Sequence, residues 1–398
     1  MTDVRGQAGD ATGERLAPSY RDRAKALAPL VEAQADEIER RGSITEEVHD
    51  AFARQGLYWL LVPEELGGGG QGIVSYMETV AELSRADGSS GWVVMACSGS
   101  SGAAAGFLPP AGARKLYGGR DKAITASQLA PIGKGTPVNG GFRVSGHYQF
   151  GSGSTFATWM GAGFAILDDG KPRMRADGQI DQRIGFFPRE SVELLGNWDA
   201  TGLVGTGSFD YAVAELAVDD DLTFERLSLD PVRPEPVFAL GLAGIGIAGH
   251  ASVALGLTER ALQEVATITD GKKRNGYSVP VGEYPIFMQQ FAIQEANFQA
   301  ARRYVLGAFG EAEETAAAGR TISEEQRARL RQAATWAHYV GAGVVDFCRL
   351  WGGTQAFRNP SALGRVVRDM GVATQHVLVD PKTLADAAPP ILRHWVGR

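Results

Sequence analysis

Hydroxyl and imidazole side chains set among glycines are the most chemically suggestive feature of this chain. They fall in four stretches: ITASQLAP at 124–131, SGHYQFGSGS at 145–154, WDATGLVGTGS at 198–208 and ATQH at 373–376. Glycine lets a backbone approach a ligand closely, and a neighbouring serine or threonine hydroxyl can both donate and accept a hydrogen bond. A histidine, with an ordinary pKa near ~6.5, can give or take a proton at neutral pH. Each stretch also has a plainer reading. Alone, SGHYQFGSGS is a Gly-Ser hairpin turn, the serine of ITASQLAP an ordinary strand residue, and the histidine of ATQH a cap or core residue.

Other site types find little support. The six histidines form no HExxH or similar pair, and Cys97 and Cys348 stand far apart, so no protein-bound metal is expected and both cysteines read as small buried residues. The glycines of GLVGTG, 202–207, lie inside a β-rich region without the strand–turn–helix context of a dinucleotide fingerprint, so direct NAD(P)H binding is not expected. A hydrophobic share of 44%, a charged share of 21% and a net charge of −7 describe an ordinary globular chain with no bias toward nucleic acid or an anionic membrane. No stretch approaches ~18 uninterrupted apolar residues. The polar N-terminus lacks a signal-peptide core, which points to the cytoplasm.

The elements that must position these residues change character twice. Residues 1–18 read as a disordered lead-in. From 19 to 122 the periodicity is helical, including an almost uncharged segment, SSGWVVMACSGSSGAAAGFL, that should be buried. Within it, LVPEELGGGG holds no regular element, because Pro63 and four glycines break both periods. From 123 to 230, runs such as GFRVSGHYQF and YAVAELAV alternate and are separated by Gly-, Asp- and Pro-containing turns, predicting a central antiparallel β domain. From 231 to 398, long helical runs joined by short loops predict an antiparallel bundle, one of them opening on a Ser-x-x-Gln cap at Ser323. The fold class is therefore α+β, ordered helical, β, helical.

That order resembles the acyl-CoA dehydrogenase superfamily over nearly the whole chain. Six stretches look like its flavin-dependent monooxygenase branch, which comprises oxygenase components of two-component hydroxylases and relatives acting on sulfur heterocycles and amino sugars. They are LVPEELGG (61–68), SRADGSSGWVV (84–94), ITASQLAP, SGHYQFGSGS, WDATGLVGTGS and RDMGVATQH (368–376). Each alone is weak; their order and spacing carry the resemblance.

The resemblance implies a site. Ser152 corresponds to the hydroxyl that meets the reactive N5 edge of the flavin, Phe150 to an aromatic ring near it, and Ser127 to the residue reading the flavin's polar edge. Thr206 and Ser208 could contact cofactor or substrate, although many relatives carry Arg where this chain has Val204. Lys273 and Arg274, with Gly353 and Thr354, are candidates for the flavin phosphate, by analogy shared between subunits of a homotetramer. Taken without the resemblance, GKKRNG at 271–276 is a solvated inter-helix loop. Trp92 and Ser100 would face the substrate, small residues near Ser100 leaving room for a bulky one.

A dehydrogenase of this family needs a carboxylate to remove a proton alpha to a thioester. One position the family uses falls on or near Val377, and the other falls in 243–250; neither holds Asp or Glu. His376 stands where oxygenase relatives carry a histidine, whereas His49, His147, His250, His338 and His394 read as surface or structural. The resemblance therefore implies a monooxygenase that takes reduced FMN or FAD from a separate NAD(P)H flavin reductase. It would add O2 at C4a of the flavin and hydroxylate a small aromatic or polycyclic substrate, with His376 and Ser152 catalytic. Oxygenation of an amine or amino sugar, oxidation of a sulfur heterocycle, a true acyl-CoA dehydrogenase and a non-catalytic or flavin-storage member whose helical bundle serves assembly remain as alternatives.

Overall fold

The computed structural model describes residues 17–397, so most of the expected lead-in lies outside the described residues. Five helices come first: α1 (Tyr20–Arg41), α2 (Glu46–Arg54), α3 (Ile73–Ala86), α4 (Gly88–Phe107) and α5 (Pro110–Tyr117). Ser19 caps α1 by accepting the Asp22 amide, and Gly42 ends it at φ +73°. Thr45 caps α2 through the Val48 amide. The uncharged α4 is buried along nearly its whole length, as its composition requires. The proline–glycine stretch before α3, expected to lack regular structure, holds one 3₁₀ turn at Glu64–Leu66, short enough to tolerate Pro63 at its start. The short α5 was not anticipated.

Eight strands follow: β1 (Thr125–Val138), β2 (Gly141–Gly151), β3 (Trp159–Asp168), β4 (Lys171–Pro172), β5 (Gln182–Pro188), β6 (Glu193–Leu194), β7 (Phe209–Asp219) and β8 (Thr223–Glu225). Their order is β6-β7-β2-β1-β3-β5-β8, with β4 on β3. The sheet is not wholly antiparallel. Central β1 and β3 run parallel, with a bulge between Gln128 and Gly133. The tyrosine hydroxyl of Tyr211 bridges the sheet's middle, donating to the Gly161 carbonyl at 2.5 Å and accepting the Gln128 amide at 2.9 Å.

The chain returns to helices α6 (Gly241–Thr269), α7 (Pro285–Ala317), α8 (Glu324–Gly352), α9 (Ala362–Ala373) and α10 (Lys382–Trp395). Ser323 and Gln326 form the reciprocal capping box of α8. The proline-containing α10 was not anticipated. Segment Pro236–Thr269 is long and apolar enough to cross a membrane by length and composition, although His250 and Ser252 interrupt its apolar run. Its most apolar part is largely buried inside the fold, packed among α3, α4 and α8, so it is a core helix. Close packing there depends on Gly256, where a Cβ would fall on the Ala81 carbonyl oxygen.

Candidate active site

Ser152 lies just past the end of β2, where the backbone departs from the strand. Phe150 adopts φ +62°, rare for a bulky residue, and the Ser152 amide folds back onto the Phe150 carbonyl at 2.8 Å. This turn aims the buried Ser152 hydroxyl inward and leaves the Phe150 ring 58% exposed, edge-on to Trp198. On the facing side, the 198–208 loop is pinned at three points. The Leu203 amide, at φ +50°, donates to Asp369 Oδ1 at 2.6 Å, the Gly205 amide donates to Ser89 Oγ at 3.1 Å, and Thr206 bridges to Ser43.

Between turn and loop runs a chain of buried hydroxyls. Trp92 Nε1–H donates to Ser152 Oγ at 3.0 Å, Ser152 and Ser208 lie 2.7 Å apart, Ser208 and Thr206 lie 2.6 Å apart, and Thr206 Oγ1 donates to the Leu203 carbonyl at 2.8 Å. One proton per hydroxyl fixes the direction. Thr206 spends its proton on a carbonyl, so Ser208 must donate to Thr206 and Ser152 to Ser208. Ser152 is thus left with acceptor capacity only. Four residues named separately from the sequence (Trp92, Ser152, Thr206 and Ser208) share one network.

Two further candidates meet beside it. Ser100 and Ser127 share a hydrogen bond, and the Thr125 hydroxyl donates to Ser100 Oγ at 2.8 Å. Ser100 is therefore locked to the sheet rather than free at a cavity wall.

Across Trp92 stand two imidazoles. His376 and His250 stack with ring centroids 3.7 Å apart and planes at 29°, and both lie edge-on to Trp92, at 6.0 and 4.9 Å. His376 Nδ1 accepts the Leu378 amide at 3.3 Å, capping the 3₁₀ turn Val377–Val379, so its neutral form carries the proton on Nε2. Burial pushes the His376 pKa down to about 4, with His338 adding to the effect. His250 is held well below the ordinary range by burial, then by His376 and His338, and its Nδ1 is buried without a partner. The sequence reading set His250 aside as surface or structural; the structure buries it against His376 and Trp92. The available signal was that it ends the 243–250 stretch already identified as a possible base position.

The phosphate candidates gather elsewhere. Arg274 donates to the Leu350 and Trp351 carbonyls at the end of α8, beside Gly353, and Lys272 Nζ reaches the Gly352 carbonyl at 3.1 Å. Gly353 opens the 3₁₀ turn that follows, with Thr354 second in it, while Lys273 is exposed. Lys272 thus makes the turn contact, not its neighbour. These groups lie past Thr269 at the far end of α6, about 28 Å along the helix from His250 at 1.5 Å per residue.

Two domain signatures match this sequence: acyl-CoA dehydrogenase, N-terminal domain, over 19–107, and acyl-CoA dehydrogenase, C-terminal domain, over 248–381, together more than half of the chain. The chain belongs to the acyl-CoA dehydrogenase family. Within it, the chain is 29% identical over 374 residues to an indole-3-acetate monooxygenase of Pseudomonas putida, covering 94% of this chain and 91% of that one. It is 25% identical to the flavin-dependent monooxygenase oxygenase subunit HsaA of Rhodococcus jostii, covering 90% of this chain and 94% of HsaA. Its fold is shared with XiaF from Streptomyces, solved with FADH2 and glycerol, at a TM-score of 0.84 and 20% identity, over 95% of each chain. The family's dehydrogenases need a carboxylate base; here both expected places converge in space and hold imidazole.

Proposed function

We propose that this family member is the oxygenase component of a two-component flavin-dependent monooxygenase acting on a small aromatic or polycyclic substrate. The observation that carries this reading is the neutral imidazole pair, His250 and His376, set beside Trp92 and Ser152 where proton abstraction would need a carboxylate. Relatives named as monooxygenases of aromatic acids and as an oxygenase subunit agree with it.

The residues suit a flavin. Ser152 presents an acceptor, which matches the N5–H that only the reduced ring carries. The exposed Phe150 lies two residues before Ser152, and the half-buried Ser127 lies on β1, the strand that pairs with β2. Reduced FMN or FAD, when bound, supplies the electron pair that activates dioxygen. The protein's share is then positioning and proton control. Ser152 orients, Trp92 fills the space beside it and limits water, and His376 offers the proton on Nε2.

A separate NAD(P)H flavin reductase would deliver the cofactor by diffusion. Assembly as a homotetramer would bring Arg274, Lys272 and the Gly353–Thr354 turn of one protomer to the cofactor of another. Exposed Ile286 and Ile293 on α7, Tyr339 and Leu350 on α8 and Trp395 on α10 suit such contacts.

The test is to load the protein anaerobically with reduced FMN or FAD, then add isotope-labelled dioxygen and indole-3-acetate. One labelled oxygen in the product, with reduced flavin retained on dialysis, is expected. Bleaching of oxidised flavin by butyryl-CoA, with no labelled product, would instead establish a dehydrogenase.

A further inference from the structure

Next to the imidazole pair lies a cavity of about 310 Å³, small for a ligand pocket but sufficient for a compact two- or three-ring molecule. Three of its lining residues are close chain neighbours of site residues. Leu378 is the residue whose amide His376 accepts, Gly246 lies one helical turn before His250, and Leu129 follows Ser127 by two residues on β1. Its walls are mostly apolar and include Leu240, Ile247 and Leu330.

The charged groups on those walls are all of one sign. Arg226, Arg327 and Arg331 line the cavity, and no Asp or Glu does. Among the described residues, none of the three makes an ion pair. Two are tied down by neutral partners. Arg226 donates to the Leu129 carbonyl at 2.6 Å and to Gln182 at 3.0 Å, and Arg327 donates to the Ala239 and Leu240 carbonyls at 3.0 and 3.1 Å. Arg331, one turn after Arg327 on α8, is exposed and has no hydrogen-bond partner among the described residues. Arg327 loses basicity through burial and then through the like charge of Arg331. In a chain with a net charge of −7, this cavity nonetheless presents three cations and no carboxylate, so an anion entering it would meet attraction and no like charge.

We propose that this cavity binds the substrate, that the substrate is an apolar ring system bearing a carboxylate, and that Arg331, with Arg327 behind it, is the residue that selects the acid. The proposal rests on the oxygenase reading for the word substrate, though not for the binding it forecasts. Guanidinium meets a carboxylate in a two-point, charge-assisted contact, whereas a neutral amide of the same shape leaves the cations unsatisfied.

The test uses the full chain and a matched pair, 1-naphthaleneacetate and 1-naphthaleneacetamide, followed by calorimetry. The acid is expected to bind about tenfold or more tightly than the amide, the size of one charge-assisted contact. Arg331→Gln should remove that preference, and Arg331→Lys should retain part of it. Because Arg327→Gln would strip caps from two carbonyls, the exposed Arg331 is the decisive variant. Equal binding of acid and amide, no binding of either, or an acid preference unchanged in Arg331→Gln would overturn the proposal. So would binding of coenzyme A in place of both aromatic probes. Labelled-oxygen incorporation measured in parallel separates the two readings. Acid selectivity without incorporation refutes the oxygenase and leaves the anion site standing; incorporation without acid selectivity refutes the anion site alone.

Discussion

His250 and His376 stack with ring centroids 3.7 Å apart, one from the first half of α6 and the other from the turn after α9. Neither ring can take a proton without placing charge against its neighbour in a buried setting, so the pair stays neutral at pH 7. His376→Ala is expected to lower product formation ~100-fold, the lower range for a lost general acid or base, while changing flavin affinity little. His250→Phe, which keeps a ring in the stack, should fall between wild type and His376→Ala, and the double variant should cost less than the two losses combined. Wild-type product yield in His376→Ala would remove it from the mechanism.

Ser152 sits at the head of a one-way hydroxyl chain. Ser152→Ala leaves Trp92 Nε1–H and Ser208 each short of a partner in a buried place. A loss of about 1–3 kcal/mol in unfolding free energy is expected, read from urea midpoints. Hydrogen peroxide should rise at the expense of product. A peroxide-to-product ratio equal to that of wild type would mean that Ser152 plays no part in holding the cofactor.

The direction of that chain is set at its far end, where Thr206 donates to the Leu203 carbonyl. Thr206→Val keeps the shape and removes the constraint, freeing Ser208 and Ser152 to reverse. Wild type should then bind reduced flavin more tightly than oxidised flavin, and Thr206→Val should narrow the ratio by about threefold to tenfold, roughly one neutral hydrogen bond. Equilibrium dialysis with both redox forms checks it. An identical ratio in the two proteins would refute the polarity argument.

Asp369, which holds the 198–208 loop, is buried beside Asp87, and burial followed by Asp87 raises its pKa to about 7. The folded state therefore keeps a proton that the unfolded state has already lost, and stability falls as pH rises from about 4 through 7. Asp369→Asn can still accept the Leu203 amide and carries no charge. It should raise the unfolding midpoint at pH 8 by the equivalent of about 1–3 kcal/mol and change it little at pH 5. A lowered midpoint at pH 8 would show that the charge is needed, for instance by the neighbouring Arg365.

Acid has the opposite effect through the histidines. His338 donates from Nδ1 to the Ala334 carbonyl, and burial pushes its pKa down to about 4. Between about pH 6.5 and 4 the unfolded chain takes up the proton first, so stability is lost as pH falls through that window. For His338 the full loss is about 3 kcal/mol. His338→Gln should flatten that limb of a stability–pH curve; an unchanged slope would assign the acid loss to other groups.

What the sequence by itself determined was the order of its parts. Helical period, strand alternation and turn residues are local signals, and they located the uncharged α4, the β domain and the Ser323 cap without reference to anything distant. Ser152, Thr206, Ser208 and His376 came forward as separate candidates only through the motifs that resemble the flavin-dependent branch. Only the tertiary structure decided what they do together. Residues 92, 152, 206, 208, 250 and 376 come from different elements, and their contacts depend on how helix and sheet pack, which no local period encodes. For that reason the sequence passed over His250, preferred Lys273 to Lys272, missed the parallel β1–β3 pair, and could not see three unpaired arginines around one cavity. Hydrogen-bond direction and uncompensated charge are properties of neighbours in space, and folding chooses those neighbours.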